Sequence, residues 1–161
     1  MGWNFADGTT DGWTVDPGYL GSTGGGVTGT ISASAANPYS GESYSLAVPA
    51  NLSTPDDNAN VSISLCGSPV SLGGYTLSFY VYFTSDGGAP QGLDVMWNAL
   101  TPNGLVAQGE MSSTYAINAD QWYKWSASLS GDADTLVIAF YNYYSGWVGT
   151  IYIADVAITG S

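Results

Sequence analysis

Residues 75–84 read Tyr75-Thr76-Leu77-Ser78-Phe79-Tyr80-Val81-Tyr82-Phe83-Thr84. The apolar side chains of this run share one parity, which comprises Tyr75, Leu77, Phe79, Val81 and Phe83. The other parity is polar except for Tyr80 and Tyr82. Since successive side chains of a strand point to opposite faces, the run predicts a β-strand with one face in a core and one face outward.

Alternation of this kind extends along most of the chain, and no convincing amphipathic helix interrupts it. Glycine- and proline-rich turns separate the predicted strands, which are 3–5, 13–15, 26–35, 43–48, 61–65, 75–84, 93–100, 105–111, 123–128, 135–143 and 151–159. About ten short strands with such punctuation indicate an all-β domain, either a sandwich or a barrel.

The composition limits the class of partner. The 161 residues fit one domain, and only 9 % of them are charged, against about 25 % in an average soluble protein. Thirteen acidic residues against one basic residue, Lys124, give a net charge of −12. Nucleic acid, anionic membranes and acidic polysaccharides would all be repelled, so we expect a neutral partner.

Several classes of chemistry are excluded or disfavoured by single residue types. The chain has no histidine, so it has no Ser–His or Cys–His nucleophile pair. The single cysteine, Cys66, allows no internal disulfide and is expected to be a small buried apolar residue. No apolar run is long enough to span a membrane, and no signal peptide is recognised. We interpret residues 1–161 as one monomeric domain of a larger secreted protein.

Strand parity also selects the side chains that point away from the core. We expect four strands to share one outer face, which carries Tyr80, Tyr82, Asp94, Met96, Asn98, Val106, Gln108, Glu110, Val137, Ala139, Tyr141 and Tyr143. Trp147 follows the predicted strand 135–143 in a loop, where it could close one end of this face.

Such a face combines aromatic rings with carboxylates and amides, as sugar recognition requires. The C–H face of a pyranose packs flat on an aromatic ring, and its hydroxyls exchange hydrogen bonds with Asp, Glu, Asn or Gln. We therefore predict a carbohydrate-binding site made of Tyr80, Tyr82, Asp94, Met96, Asn98, Gln108, Glu110, Tyr141, Tyr143 and Trp147. The competing interpretation is that outward tyrosines reflect only their high β propensity and form cross-strand pairs.

Four segments, in order along the whole chain, carry a resemblance to a known group. They are the opening Asn4-Phe5-Ala6-Asp7-Gly8-Thr9-Thr10-Asp11-Gly12-Trp13, then Tyr44-Ser45-Leu46-Ala47-Val48, Gln121-Trp122-Tyr123-Lys124-Trp125, and Thr150-Ile151-Tyr152-Ile153-Ala154-Asp155-Val156-Ala157-Ile158. Together they resemble the jelly-roll carbohydrate-binding modules of families four, nine, eleven, sixteen, twenty-two and twenty-seven, without selecting one family.

The resemblance implies a jelly-roll β-sandwich of two antiparallel sheets with a binding cleft across the concave sheet. It also implies that the strand at 75–84 lines this cleft. The implied function is non-catalytic binding of a neutral plant-type polysaccharide, such as β-glucan, xylan, xyloglucan or mannan. The module would hold an appended catalytic domain near its substrate.

Many modules of this group also hold a structural calcium ion. The positions matching two of its side-chain ligands are Ala6 and Ala154 here, and alanine offers no oxygen to an ion that takes six to eight. We therefore expect no required cofactor and no metal site. A shifted site formed by Asp7, Glu42 and Asp155 is the less favoured alternative.

Two other functions compete with glycan binding. A jelly-roll glycoside hydrolase would need a pair of carboxylates, and Asp94 and Glu110 are the candidates for facing each other. A structural or adhesive surface sandwich would share the fold but would have no reason to gather tyrosines on one face.

Overall fold

The computed structural model describes residues 1–16, 26–55, 57–65, 67–85, 90, 92–113, 118–142 and 146–160. Cys66 and Tyr143 lie outside these residues. Within them the chain forms strands and no helix, so none of the described segments is a helix able to cross a membrane. The strands are β1 (Gly2–Trp3), β2 (Thr14–Val15), β3 (Ser32–Ser34), β4 (Ser45–Leu52), β5 (Asn58–Ser64), β6 (Val70–Ser71), β7 (Tyr75–Phe83), β8 (Leu93–Thr101), β9 (Gly104–Ser113), β10 (Trp122–Ser128), β11 (Asp132–Ala133), β12 (Thr135–Asn142) and β13 (Trp147–Gly160).

Two antiparallel sheets form the β-sandwich that the sequence predicts. The six-stranded sheet has the order β10-β7-β13-β4-β3, with β1 paired to β13. The five-stranded sheet has the order β2-β5-β12-β8-β9, and β6 pairs with β11 in a small separate ribbon. Neighbouring strands in each sheet are mostly distant in sequence, as in jelly-roll and Greek-key connections.

The core lies between the two sheets and follows the predicted parity. Leu77, Phe79, Val81 and Phe83 of β7 are fully buried, as are Leu93 and Val95 of β8. Tyr75 is an exception, because it begins β7 opposite Gly160 and is 41 % exposed. The alternation predicted its direction, but the core does not reach the end of that strand.

Close packing in the core also explains one glycine in a strand. Gly109 of β9 lies opposite Trp97 of β8. A Cβ at position 109 would come within 2.6 Å of the Trp97 indole nitrogen. Glycine therefore leaves the room that the large indole ring requires.

A β-bulge interrupts the last strand. Ala154 pairs with Tyr80 and Ala157 pairs with Ser78, so β13 has one residue more than β7 over this interval. Asp155 has a positive φ of 48° and is exposed, while Val156 beside it is buried. The bulge places the additional residue outside the alternating pattern.

Strand boundaries differ from the sequence prediction mainly near the first third of the chain. The predicted strand 26–35 is reduced to β3 and an isolated bridge between Val27 and Ala50. The short strands β6 and β11 were not predicted, because two-residue strands carry too little alternation to be recognised.

Truncation of a central ring should test this core directly. We expect Phe83→Ala to lower the free energy of unfolding by about 3–5 kcal/mol, because it removes a buried ring that its neighbours cannot replace. Chemical denaturation followed by tryptophan fluorescence would measure the change. The matched control is Val106→Ala on the 46 % exposed side chain of β9, which should change stability little.

Candidate functional site

The predicted site residues lie on two different faces. Tyr80 and Tyr82 belong to β7 in the six-stranded sheet, whereas β8, β9 and β12 belong to the five-stranded sheet. The two sheets enclose one core, so their outer faces point in opposite directions. The expectation of one face shared by four strands is therefore wrong. Parity gives the direction of a side chain relative to its own sheet and does not give the sheet to which the strand belongs.

Six of the ten predicted residues do come together, on the outer face of the five-stranded sheet. We call this surface the polar face and define it by Asn58, Asn60, Ser62, Asp94, Met96, Asn98, Gln108, Glu110, Val137, Ala139 and Tyr141. Strand pairing sets Tyr141 opposite Asp94, and Glu110 opposite Met96. Directly opposed side chains have Cβ atoms about 4.5–5.5 Å apart, so the Tyr141 ring and the Asp94 carboxyl group are close neighbours.

The middle of the polar face is unusually inaccessible. Val137 and Ala139 of β12 are buried although their parity directs them away from the core. Asn60 on one side is 2 % exposed and Asn98 on the other side is 1 % exposed. The face therefore has a floor of short side chains bordered by amides, while Gln108 and Glu110 on β9 are exposed.

Two of these amides have unused hydrogen-bonding capacity. The Asn60 Nδ2 atom donates to Asn58 Oδ1 at 3.1 Å. The Oδ1 atoms of Asn60 and Asn98 are buried and have no hydrogen-bond partner among the described residues. A buried acceptor without a donor is costly, so both oxygens favour a donor supplied from outside the sheet.

The acidic groups of the face influence each other. Burial, and then the negative charge of Glu110, raise the pKa of Asp94 above its ordinary value of 3.8. Both causes disfavour the ionised form of Asp94. With Glu110 nearby, Asp94 is better suited to a hydrogen bond with a neutral ligand than to contact with an anion.

A surface depression of about 450 Å³ continues the polar face at one end. Its walls include Ser64, Leu100 and Thr135, which follow Ser62, Asn98 and Val137 along the same strands in steps of two. The rim also carries the carboxyl groups of Asp16 and Asp134. The face and the depression together form one elongated polar surface.

Trp147 does not belong to this surface. It begins β13 in the six-stranded sheet, is 1 % exposed and packs edge-on against Phe83 with ring centroids 5.4 Å apart. Its Nε1 atom donates to the Thr84 backbone oxygen at 3.3 Å. The expectation that Trp147 closes a binding cleft is thus wrong, because this large apolar ring fills the core instead.

The opposite outer face holds an aromatic patch, which we define as Tyr39, Tyr80, Tyr82, Trp122 and Tyr152. The prediction included only Tyr80 and Tyr82. Parity in β13 could have identified Tyr152, whereas Trp122 begins β10, one residue before the predicted strand 123–128. No periodic signal identifies Tyr39, since it lies in the loop between β3 and β4.

The expected calcium ligands can be compared with the residues present. Ala6 and Ala154 offer no side-chain oxygen, and Asp7 accepts hydrogen bonds from Thr9. Burial, and then the nearby charge of Asp155, raise the pKa of Glu42. Among the described residues no three acidic, cysteine or histidine side chains come together.

Comparison with known proteins identifies the fold. No family model matches the sequence, and no curated protein is significantly similar to it. Solved structures do match: CBM27-1 of Caldicellulosiruptor saccharolyticus, in complex with mannohexaose, is 14 % identical, with 97 % of this chain and 94 % of that chain covered and a TM-score of 0.64. A CBM28 module specific for non-crystalline cellulose is 16 % identical, with 98 % and 93 % covered and a TM-score of 0.63.

A third match joins such a module to an enzyme. The CBM22-1–GH10 modules of the Clostridium thermocellum xylanase Xyn10B, complexed with xylohexaose, are 15 % identical over 100 % of this chain and 28 % of that one, with a TM-score of 0.62. The fold of this chain is therefore that of the jelly-roll carbohydrate-binding modules, as its sequence motifs indicated. The matches include several module families and do not single out one of them.

The electrostatic interaction between the carboxyl groups of Asp94 and Glu110 can be measured. We expect Glu110→Gln to lower the pKa of Asp94, because removal of a nearby negative charge makes the ionised form of Asp94 less unfavourable. Carboxyl-carbon NMR titration of the wild type and the variant would report the shift. The control is Asp132→Asn, a change on β11, which belongs to a separate small sheet; it should leave the Asp94 titration unchanged. An unaltered Asp94 titration in Glu110→Gln would contradict the coupling.

Proposed function

We propose that this domain binds a neutral polysaccharide on its polar face, without catalysis, and thereby holds an appended catalytic domain near its substrate. The ligand would be a plant-type β-glucan, xylan, xyloglucan or mannan chain. The domain would act outside the cell as a monomer. Holding an enzyme on its polymer raises the local substrate concentration, which requires binding but no chemistry.

The observation that carries the proposal is the pair of unpartnered buried amide oxygens beside an acidic group and a tyrosine. Asn60 and Asn98 each present an acceptor that lacks a donor among the described residues. Sugar hydroxyls are neutral donors and would satisfy both acceptors once the two buried amide side chains rotate toward the ligand. Tyr141 and Asp94 lie next to this floor and would add ring stacking and a further hydrogen bond.

Charge and shape agree with a neutral, extended ligand. The net charge of −12 disfavours every polyanion, and Asp94 and Glu110 make this face unfavourable for anions in particular. The polar face runs along four adjacent strands and continues into the depression beside Thr135. An elongated surface of this kind suits an internal stretch of a single polysaccharide chain.

The matched structures support the same class of ligand. Those proteins are described with mannohexaose, xylohexaose and non-crystalline cellulose, and one is joined to a xylanase module. Their identity to this chain is low, so they support the class of ligand and do not choose among its members.

Loss of the tyrosine ring should weaken binding. We expect Tyr141→Ala to reduce affinity for the bound polysaccharide about tenfold, since one lost stacking contact is worth about 1 kcal/mol or slightly more. Affinity electrophoresis in gels containing β-glucan, xylan, xyloglucan or glucomannan would identify the polymer and measure the loss.

A matched control is available on the same protein. Tyr75→Ala removes an exposed tyrosine that lies at the end of β7 in the other sheet, and it should leave retardation unchanged. Equal retardation of wild type and Tyr141→Ala would refute the assignment of Tyr141 to the site. Absence of retardation in every gel would refute the proposed function itself.

Binding should also be independent of calcium. Ala6 and Ala154 remove two ligand positions, and the described carboxylates do not gather into a replacement set. We therefore expect the same retardation and the same melting temperature with and without EDTA. A melting temperature that falls in EDTA and recovers on addition of calcium would show that a rebuilt site exists.

One observation favours a second candidate, hydrolysis of the glycan. The raised pKa of Asp94 beside Glu110 is a feature of the acid and the base or nucleophile in glycoside hydrolases. Release of reducing sugar from the retarded polymer by the purified domain, abolished in Asp94→Asn, would establish that activity. Binding without release would favour the non-catalytic function.

A further inference from the structure

The aromatic patch concentrates rings at one place on the outer face of the six-stranded sheet. Tyr82 lies between Trp122 and Tyr152, with ring centroids 5.5 Å and 6.0 Å away, respectively. Tyr39 stacks on Tyr80 at 3.9 Å and meets Trp122 edge-on at 5.4 Å. Elsewhere on β7 and β10 the outward positions carry small polar side chains, namely Thr76, Ser78, Ser126 and Ser128.

Each ring in the patch is held by its neighbours. The Tyr80 ring stacks on Tyr39, and the Lys124 Nζ atom lies 5.5 Å from its ring centroid. These contacts make Tyr80 a support for the neighbouring rings and not a main stacking surface. A hydrogen bond with Tyr80 is the main cause that raises the pKa of Tyr39 to about 12, which keeps its hydroxyl neutral. Tyr152 is buried beneath the others. Ring orientations are therefore fixed before any ligand arrives.

Four rings of the patch, Tyr39, Tyr80, Tyr82 and Trp122, remain partly exposed, and hydrogen-bonding groups lie beside them. The Tyr82 hydroxyl donates to the Asp120 carboxylate at 3.1 Å, and the Ser85 amide donates to the same oxygen at 3.2 Å. The hydrogen bonds from Ser85 and Tyr82 lower the pKa of the Asp120 carboxyl group and orient it. The exposed Lys124 lies across the strand pair from Tyr80 and supplies a donor.

Charged groups of both signs border this region, since Lys124 and Asp120 lie beside the rings and Asp155 and Glu42 lie near Tyr39. Lys124 is the one basic side chain in the sequence, and it stands among the rings with Asp120 close to Tyr82. A carboxylate, an ammonium group and rigid partly exposed rings suit a ligand that is neutral, rich in hydroxyl groups and has apolar ring faces. A purely structural cluster would need no polar rim of this kind.

We propose that the aromatic patch is a second surface for neutral polysaccharide, on the side of the sandwich opposite the polar face, so that one domain joins two chains. The inference rests on the proposed function for the class of ligand, but its residues are entirely separate from the polar face. Trp122 and the outer side of Tyr39 are the stacking surfaces, Tyr82 lies beside Trp122, and Asp120 and Lys124 bind hydroxyls.

Two measurements test this inference. The first is isothermal titration with a soluble hexasaccharide of whichever polymer retards the wild type. The second is light scattering of that dissolved polymer on addition of the domain. Wild type should show two sites per domain and should increase scattering, because a two-sided protein cross-links polymer chains.

The variants remove one surface at a time. Trp122→Ala should weaken binding at the aromatic patch about tenfold or more, so that only the polar-face site is measured. It should also abolish the increase in scattering. The double variant Asp94→Ala with Tyr141→Ala should remove the other site and equally abolish scattering. Tyr75→Ala is the control, since it removes an exposed tyrosine outside both surfaces and should retain both sites. Circular dichroism melting checks the fold of every variant, and Trp122→Phe replaces Trp122→Ala if the alanine variant is unfolded.

The outcomes separate this inference from the proposed function. One wild-type site that is lost in the polar-face variant and retained in Trp122→Ala would overturn the second surface and leave the proposed function intact. One site that only Trp122→Ala removes would overturn both the two-sided arrangement and the choice of the polar face. Absence of binding by the wild type would reject the proposed function and, with it, the second surface.

Discussion

The two sheets are joined by aromatic contacts that cross the core, and the central contact is between Phe83 and Phe140. Their ring centroids are 5.9 Å apart and nearly perpendicular, with Phe83 on β7 and Phe140 on β12. Phe83 also meets Trp125 and Trp147 from its own sheet. Once these rings occupy the inside, the alternation of each strand directs every second side chain to one of two outer faces. Both candidate surfaces depend on this arrangement.

Sequence reasoning succeeds within a strand because a period of two needs no information from elsewhere in the chain. The inward set of β8, which includes Trp97, and its outward set, which includes Asp94 and Asn98, both agree with the structure. Pairing between strands is different, since β7 lies between the distant strands β10 and β13. Local alternation therefore could not show that Tyr80 faces away from Asp94.

Tertiary packing also overrides signals that look clear in isolation. Trp147 follows Gly146 and resembles an exposed loop residue, yet it is buried in the core against Phe83 and donates a hydrogen bond to the Thr84 backbone oxygen. Tyr39 shows the converse case, because an unremarkable loop residue becomes a central member of the aromatic patch. Neither placement is encoded in residues adjacent in sequence.

The two outer faces offer different chemistry from the same scaffold. The polar face has a buried floor with unsatisfied amide oxygens, whereas the aromatic patch is a group of contacting rings bordered by Asp120 and Lys124. The bulge at Asp155 concerns the same two outer faces. Without that residue, Ile151, Ile153, Val156 and Ile158 would follow one strict alternation, so the bulge lets the last strand hold Asp155 without exchanging its inner and outer faces. The bulge thus marks a position where chain length could change while both surfaces are preserved.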